Sequence, residues 1–352
     1  MKQSLRIAFS IAGIIIAGFL LYNVLSSFNW SATSETLSSL DHWQIFLILI
    51  PFILEAIADC VAWRHLLPLE YRHVSLWKIF KARTGPEAVV MTVPMGPFIS
   101  EPLKAWILFK IIDLRTSIGM ASVIMRSCFL VLAQCSLVIL VTLLSFGWLA
   151  DLSPLVISRS GLGYLLLLIA LILFLVYAAF LLLASRSSVV KRLHNKLEHA
   201  PFAWIRKIWE STEHYFTELN EQFATFGGER KSSVIIAYLL YILPWVFQGI
   251  ETYVILRLLG SEIPLLQALT IEGACGFLRS VAFIVPSGLG VQDAGYFLML
   301  NGAGVSHPLS AAFIIVKRSR EILWVSLGYG ILFISGFGSK VSFSRMEPAT
   351  AE

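Results

Sequence analysis

Charged residues are scarce in this sequence. Asp, Glu, Lys and Arg make up only 14% of the 352 residues, whereas 57% are hydrophobic. A soluble domain needs a polar surface, so this composition leaves almost no room for one. Apolar runs of about 18 or more residues recur along the chain, which is the length that a bilayer requires. The sequence therefore predicts an all-α polytopic membrane protein.

Cysteine is also rare, and the usual signatures of catalysis and metal binding are missing. Cys60, Cys128, Cys135 and Cys275 all fall in apolar segments, so we expect buried free thiols rather than a disulfide framework. No metal-ligand spacing occurs, and His307 has no Ser/His/Asp partners at a suggestive spacing. We therefore expect no metal, no cofactor and no enzymatic activity. The net charge of +5 suits the inner face of an anionic membrane better than nucleic acid, since no soluble basic domain exists.

Six apolar segments are long enough to cross a bilayer. They are roughly residues 5–27, 42–67, 117–147, 162–184, 234–259 and 309–335. The first is longer than the apolar core of a cleavable signal peptide, so we interpret it as an uncleaved helix.

Lys and Arg collect in alternate connections between these segments. The connection after the second segment, for example, contributes Arg64, Arg72, Lys78, Lys81 and Arg83. The positive-inside rule then puts both termini in the cytoplasm. We predict a multi-pass protein of the bacterial inner membrane.

Two further apolar regions, 76–112 and 265–303, are each interrupted by Pro and Gly. The arms of the first, near 79–93 and 101–112, reach about 20 Å at 1.5 Å per residue, less than the roughly 30 Å hydrocarbon core. A re-entrant hairpin fits that region, whereas the longer second region also allows two full spans. Broken backbone at membrane depth is tolerated only inside protein or beside water. A kinked packing hairpin and a substrate site both explain such a break, and we favour the substrate site.

The two interruptions correspond when the chain is shifted by 192 residues. Val93–Glu101, VPMGPFISE, then falls on Val285–Asp293, VPSGLGVQD. Four further pairs also coincide: Asp59 with Glu251, Leu66-Leu67 with Leu258-Leu259, Arg126 with Arg318, and Ser127 with Ser319. Because the extra span 162–184 separates the copies, they enter the membrane from opposite sides. Such inverted repeats are an architecture of secondary transporters, with the site near the midplane.

This division gives the chain five regions. They are a signal-anchor helix and outer loop at 1–41, repeat 1 at 42–147, an extra span with a cytoplasmic amphipathic helix at 148–233, repeat 2 at 234–339, and a cytoplasmic tail at 340–352. The amphipathic helix is expected because apolar residues recur at three- and four-residue steps through 205–223. Such a helix suits the cytoplasmic interface, and docking of a partner is the other interpretation.

Ionisable residues inside apolar segments are costly and usually mark paths or partners. Glu101 and Asp293 each fall at the predicted start of a short helix, and Ser100 and Pro102 favour a helix start in the first copy. The free N–H groups of a helix start attract an anion. We expect each acid to occupy that position and to pair with the arginine one helix later, either as a structural salt bridge or as a gate opened by an anionic headgroup.

A candidate site follows from these residues. The candidate substrate-binding residues are Arg126, Arg318, Arg279, Arg320, Lys104, Gly96, Gly288, Gly290, Pro94 and Pro286. The candidate gating or coupling residues are Glu101, Asp293 and Glu272. Arginine suits a phosphate because its planar guanidinium offers two donors at once. The second copy has cations where the first has Glu87, Met125 and Cys128, so we expect an anionic ligand to favour the second half.

At these positions the chain resembles the lysylphosphatidylglycerol synthase transmembrane-region family, also described as flippase-like integral membrane proteins. The family pattern of Pro, a small residue, Gly, Leu, Gly and then an acid is similar to PSGLGVQD, with Ser287 in the place of a usual Gly and Asp293 in that of a usual Glu. In the first copy, SEPLK supplies Glu101 and Lys104 where the family has Glu and Arg. The chain is also similar to a subgroup associated with hopanoid lipid clusters.

The resemblance implies movement of lipids or lipid-linked headgroups between leaflets. We expect no aminoacyl-transferase domain, because the chain ends soon after its last apolar run. The predicted function is a flippase that moves an amphipathic, phosphate-bearing lipid by alternating access between the repeats, with membrane lipids as its ligands. The alternative is a non-transporting scaffold that binds a separate lipid-modifying enzyme through 185–232. A membrane enzyme and a small-solute transporter are the remaining hypotheses.

Overall fold

The computed structural model describes residues 22, 26, 29–184, 231–282 and 284–335. Within these ranges the regular structure is entirely helical. The predicted first span, amphipathic helix and cytoplasmic tail lie outside the described residues, apart from isolated positions.

Eleven α-helices occur in the described ranges. They are α1 Trp30–Ser38, α2 His42–Leu66, α3 Leu76–Thr92, α4 Pro97–Ile112, α5 Thr116–Leu144, α6 Phe146–Ile157, α7 Leu162–Ala184, α8 Lys231–Leu258, α9 Leu265–Val281, α10 Val291–Gly302 and α11 His307–Ile334. Short 3₁₀ turns lie at Leu69–Tyr71 and Pro286–Gly288.

Four of the described helices, α2, α5, α7 and α8, are long and apolar enough to cross a membrane. They coincide with four of the six predicted spans to within a few residues. The helix α11 covers the sixth predicted span and has 28 residues. Its middle, however, holds four charged residues, Lys317, Arg318, Arg320 and Glu321.

The exterior of the helix bundle is apolar. The clearest case is α7, which has 23 residues and no charge. Its exposed side includes Leu165, Leu168, Leu171, Ile172, Leu175 and Val176. A continuous row of such residues is unfavourable in water but is the surface that lipid tails contact. The chain is therefore a helical membrane protein.

The helices α2 and α8 pack against each other in antiparallel directions. Ile48, near the start of α2, shares a core cluster with Ile255, near the end of α8. Cys60, near the end of α2, shares the other main cluster with Tyr241, in the first half of α8. These two helices thus form a central pair, with one helix from each predicted repeat.

The first interruption, between α3 and α4, is a tight turn. A Cβ at Gly96 would lie 2.5 Å from the Cα of Val90, so only glycine allows the turn to fold against α3. Pro97 takes the first helical position of α4, where its missing N–H is not needed. The predicted start at Glu101 is therefore wrong, because the Gly-Pro step begins the helix a full turn earlier. Ser100 is buried within that first turn and does not cap the helix.

The second interruption, between α9 and α10, has backbone in the left-handed region. The φ angles are 51° at Ser287, 61° at Gly288 and 78° at Gly290, and such angles favour glycine. Asp293 lies in the first turn of α10, where its Oδ2 accepts a hydrogen bond of 2.8 Å from the N–H of Gly290. The predicted position of Asp293 at a helix start is confirmed.

Candidate functional site

A cavity of about 550 Å³ lies between the two halves of the described structure. Its wall includes Val90, Met91 and Pro97 next to the first interruption, and Val285 and Gly288 at the second. Residues beside both Pro-Gly breaks therefore line one cavity.

The charged lining of this cavity is balanced. Its five cations are Arg83, Arg279, Lys317, Arg318 and Arg320, and its five acids are Glu55, Glu87, Glu272, Asp293 and Glu321. Buried charges are stable only when they are paired and hydrogen-bonded. The pairing of each group therefore decides which of them is free to bind a ligand.

In the first half, the guanidinium of Arg83 makes ion pairs with three carboxylates. Arg83 Nη2 donates to both carboxylate oxygens of Glu55, at 2.7 and 2.9 Å, and Arg83 Nε donates to Asp59 Oδ2 at 2.5 Å. Arg83 Nη1 lies 2.9 Å from Glu87 Oε2 as an ion pair. The side chain of Arg83 is only 2% exposed, so this cation holds α2 and α3 together inside the protein.

Arg126 also pairs with Asp59 and not with Glu101. Its Nε donates to Asp59 Oδ1 at 3.0 Å and its Nη2 bonds the other oxygen. Glu101 instead accepts from Lys104 at 2.6 Å and from Ser127 at 3.0 Å. The predicted Glu101–Arg126 pair is therefore wrong, because α2 supplies a closer acid to Arg126.

In the second half, Lys317 connects two buried acids. Its Nζ lies 3.0 Å from Glu251 Oε2 and 3.0 Å from Glu272 Oε2. Glu272 also accepts hydrogen bonds from the hydroxyls of Thr252, at 2.5 Å, and Tyr296, at 2.8 Å. All three contacts fall on the Oε2 atom of Glu272.

Arg320 completes this second-half network. Its Nε lies 2.8 Å from Glu251 Oε1, and its guanidinium lies 4.1 Å from the ring centre of Phe52 on α2. This cation–π contact links the second-half charges to the wall formed by the first half.

Arg318 makes the pair with Asp293 that the sequence predicted. Its Nε and Nη2 each donate at 2.9 Å to one oxygen of Asp293. Its Nη1 also donates to Glu321 Oε2, at 2.5 Å, and to the hydroxyl of Ser287, at 3.2 Å. This network holds the second turn, α10 and α11 in one arrangement.

Arg279 differs from the other cations in the cavity wall. Among the described residues no ion pair or hydrogen bond to its side chain occurs. It is only partly buried, and a Cβ on Gly288 would lie 3.2 Å from its Cγ. The second turn therefore packs against the stem of Arg279, and Arg279 is part of the cavity wall.

The structure brings only part of the predicted site together. The predicted residues that line the cavity are Arg279, Arg318, Arg320, Gly288, Asp293 and Glu272. The predicted residues that do not line it are Arg126, Lys104, Gly96, Gly290, Pro94, Pro286 and Glu101. The second half thus supplies every predicted residue of the cavity wall, whereas the preference of an anion for this half stays a prediction.

The sequence did not predict the charged residues that line the cavity in the first half. Glu55 and Glu87 were not assigned to the site, and Arg83 was counted with the cations of a cytoplasmic connection. The available signal was the spacing of Glu55 and Asp59, four residues apart on one helical face, because two buried acids require a cation nearby. Arg83 and Glu87 have the same spacing on the next helix.

The remaining chemical predictions concern thiols and metals. All four cysteines are buried and free, as expected. In the described parts of the chain, no group of three or more His, Cys, Asp or Glu side chains is arranged to hold a metal ion.

Residues 10–328 match the family model described as the lysylphosphatidylglycerol synthase TM region. The chain belongs to this family. Among curated proteins, the UPF0104 membrane protein of Methanothermobacter thermautotrophicus is 28% identical over 119 residues, or 34% of this chain. The match spans 35% of that relative's length, about a third. Family membership places the chain among membrane proteins of lipid metabolism or transport.

Proposed function

We propose that this protein is a flippase, which moves a phosphate-bearing amphipathic lipid between the leaflets of the bacterial inner membrane. The observation that carries the proposal is the 550 Å³ cavity with charged walls inside an apolar exterior. A headgroup can be solvated there by protein groups, while the acyl chains stay in the bilayer. Both termini are proposed to be cytoplasmic on the charge pattern of the connections.

An inverted repeat provides the mechanism. Under the 192-residue shift, α2, α3, α4 and α5 begin within three residues of α8, α9, α10 and α11. The antiparallel packing of α2 and α8 supports an inversion, because helices related by an axis in the membrane plane run in opposite directions. Rocking of one repeat against the other would then open the cavity to each leaflet in turn.

The two interrupted regions are proposed to be re-entrant hairpins. The helices α3, α4, α9 and α10 have 17, 16, 17 and 12 residues. At 1.5 Å per residue they reach about 18–26 Å, less than the roughly 30 Å core. Their breaks therefore fall at membrane depth, where non-helical backbone is stable only against protein or a polar cavity.

Arg279 is proposed as the first contact for the lipid phosphate. Binding of a phosphate to the other cavity cations would leave a buried carboxylate unpaired, which is strongly unfavourable. Binding to Arg279 breaks no ion pair among the described residues, and the guanidinium offers two donors to the phosphate oxygens.

The test is a transport assay in proteoliposomes with acyl-chain-labelled phosphatidylglycerol and a reagent that reports one leaflet. Wild type should equilibrate the lipid between leaflets faster than protein-free liposomes. Arg279→Ala should slow that transfer about tenfold or more, the effect of losing roughly 1.4 kcal/mol of headgroup binding. The matched control is Arg257→Ala, since Arg257 is exposed at the end of α8.

Two results would overturn the flippase proposal. One is a wild-type rate equal to that of protein-free liposomes. The other is an Arg279→Ala rate equal to wild type for every phosphate-bearing headgroup. Absence of transport together with capture of a lipid-modifying enzyme, lost on deletion of 185–232, would favour the scaffold alternative.

A further inference from the structure

We propose that Glu55 is a proton-binding site that couples lipid movement to a pH gradient. The coupling part of the proposal rests on the proposed flippase function, whereas the proton site stands on geometry alone. Glu55 lies on the cavity wall, and its carboxylate shares its one hydrogen-bonding cation with two other acids.

The charges around Glu55 do not balance when all groups are ionised. Three carboxylates, Glu55, Asp59 and Glu87, contact two arginines, Arg83 and Arg126. One negative charge is therefore left over in a buried place, where an uncompensated charge is costly. A proton on one of these carboxylates removes the imbalance without moving any helix.

No other described cation facing Glu55 is free to make up the difference. Arg320, on α11, lines the same cavity, but it is paired with Glu251 of α8. Lys317 and Arg320 together match Glu251 and Glu272, so neither of these cations is left over for Glu55. The extra charge thus belongs to the first-half cluster.

Among the three acids, Glu55 is the one that most readily takes the proton. Asp59 bonds both arginines, so protonating it would weaken two pairs. Glu87 has a side chain that is 26% exposed toward the cavity, where water can stabilise its charge. Glu55 is 6% exposed and depends on Arg83 alone for its hydrogen bonds. A proton on Glu55 leaves Arg83 paired with the other two acids.

The same cavity gives the proton site a connection to the lipid. A phosphate at Arg279 adds a negative charge to a cavity that Glu55 also lines, and like charges in a poorly solvated space repel. Protonation of Glu55 removes that repulsion, so phosphate and proton each favour binding of the other. This reciprocity predicts that lipid and proton move in the same direction.

The first test imposes a pH gradient on proteoliposomes and measures the leaflet distribution of labelled phosphatidylglycerol. With wild type, the lipid should accumulate in the leaflet facing the alkaline side, up to about tenfold for one pH unit and one proton. Glu55→Gln should still equilibrate the lipid but should not respond to the gradient. Glu70→Gln is the matched control, because Glu70 is an exposed acid in a 3₁₀ turn outside α2.

The second test uses purified protein and needs no transport. Infrared difference spectra during a pH titration should show a protonated-carboxyl band that Glu55→Gln removes and Glu70→Gln keeps. A wild type without such a band, or a band retained in Glu55→Gln, overturns the proton site even if transport occurs. A gradient response that survives in Glu55→Gln overturns the coupling, whereas absence of all wild-type transport counts against the flippase function instead.

Discussion

The two repeat-related halves use similar residues to build different charge networks. In the first half, the acids outnumber the arginines, and the cluster around Arg83 is almost fully buried. In the second half, Lys317 and Arg320 match the two acids of α8 and α9, and Arg279 at the cavity makes no ion pair among the described residues.

From this difference we expect the two halves to have different roles. Position 87 of the first half corresponds to position 279 of the second, so Glu87 and Arg279 are repeat counterparts with opposite charge in one cavity. The second half has Arg279, which makes no ion pair among the described residues and is proposed to bind an anionic headgroup. The first half has the surplus carboxylate that a proton can neutralise. Variants at matching positions of the two halves test whether this comparison holds.

The largest expected effect is at Arg83. Arg83→Met leaves Glu55 and Glu87 without their cation and Asp59 with Arg126 alone, and it should lower the free energy of unfolding by about 3–5 kcal/mol. Arg318→Met should cost less, about 2–3 kcal/mol, because Arg318 has two acids and is 17% exposed, so water screens part of the loss. Thermal or denaturant unfolding in detergent measures both. Equal losses of unfolding free energy would contradict the view that the ion pairs of the first half contribute more to stability.

The next comparison concerns the turns at the two interruptions, which contain Gly96 and Gly288. Gly96→Ala should lower the free energy of unfolding by about 3 kcal/mol, because the new Cβ would meet the backbone of Val90 at 2.5 Å. Gly288→Ala should cost about 1–2 kcal/mol, the price of a left-handed alanine, since the nearest atom is the movable side chain of Arg279. The same unfolding measurement decides the order. A larger loss at Gly288 would show that the second turn is the more rigid one.

A smaller effect separates the two repeated acids. Asp293→Asn weakens two bonds from Arg318 and one from Gly290 and should cost about 2 kcal/mol. Glu101→Gln should cost about 1 kcal/mol, because the Glu101 side chain is 27% exposed and meets only Lys104 and Ser127. If Glu101→Gln proves the more damaging, the assignment of Glu101 to a peripheral pair is wrong.

The smallest expected effect is at Ser287. Ser287→Gly relieves a left-handed backbone, worth about 1 kcal/mol, but it loses the hydroxyl bonds with Glu321 and Arg318, worth a similar amount. The free energy of unfolding should change by less than about 0.5 kcal/mol. A loss well above that would mean that the hydroxyl is essential to the second turn.

The sequence predicted the helices more reliably than their contacts. The bounds of α2, α5, α7 and α8 follow from apolar runs, which the bilayer constrains directly. The start of α4 was misplaced because two proline-containing start signals compete, and Gly96 followed by Pro97 prevails over Ser100 followed by Pro102. Local sequence signals alone do not decide which of two possible helix starts is used.

The charge pairs depended on tertiary packing and were predicted in part. Arg318 and Asp293 lie on neighbouring helices, and their pairing followed from the repeat. Arg126 pairs with Asp59 of α2, 67 residues away, a contact that requires knowing which helices surround α5. The lack of an ion pair at Arg279 among the described residues could not be inferred at all, because it depends on every neighbour of its side chain.

If one cavity opens to both leaflets, a cysteine placed in its wall should be accessible from either side of the membrane. Ser280 lines the cavity and is exposed, while the four native cysteines are buried. In Ser280→Cys, a charged thiol reagent that cannot cross membranes should label the new thiol from either side of oriented vesicles, and added phosphatidylglycerol should slow labelling from both. Labelling from one side only, at a rate that the lipid does not change, would contradict the account.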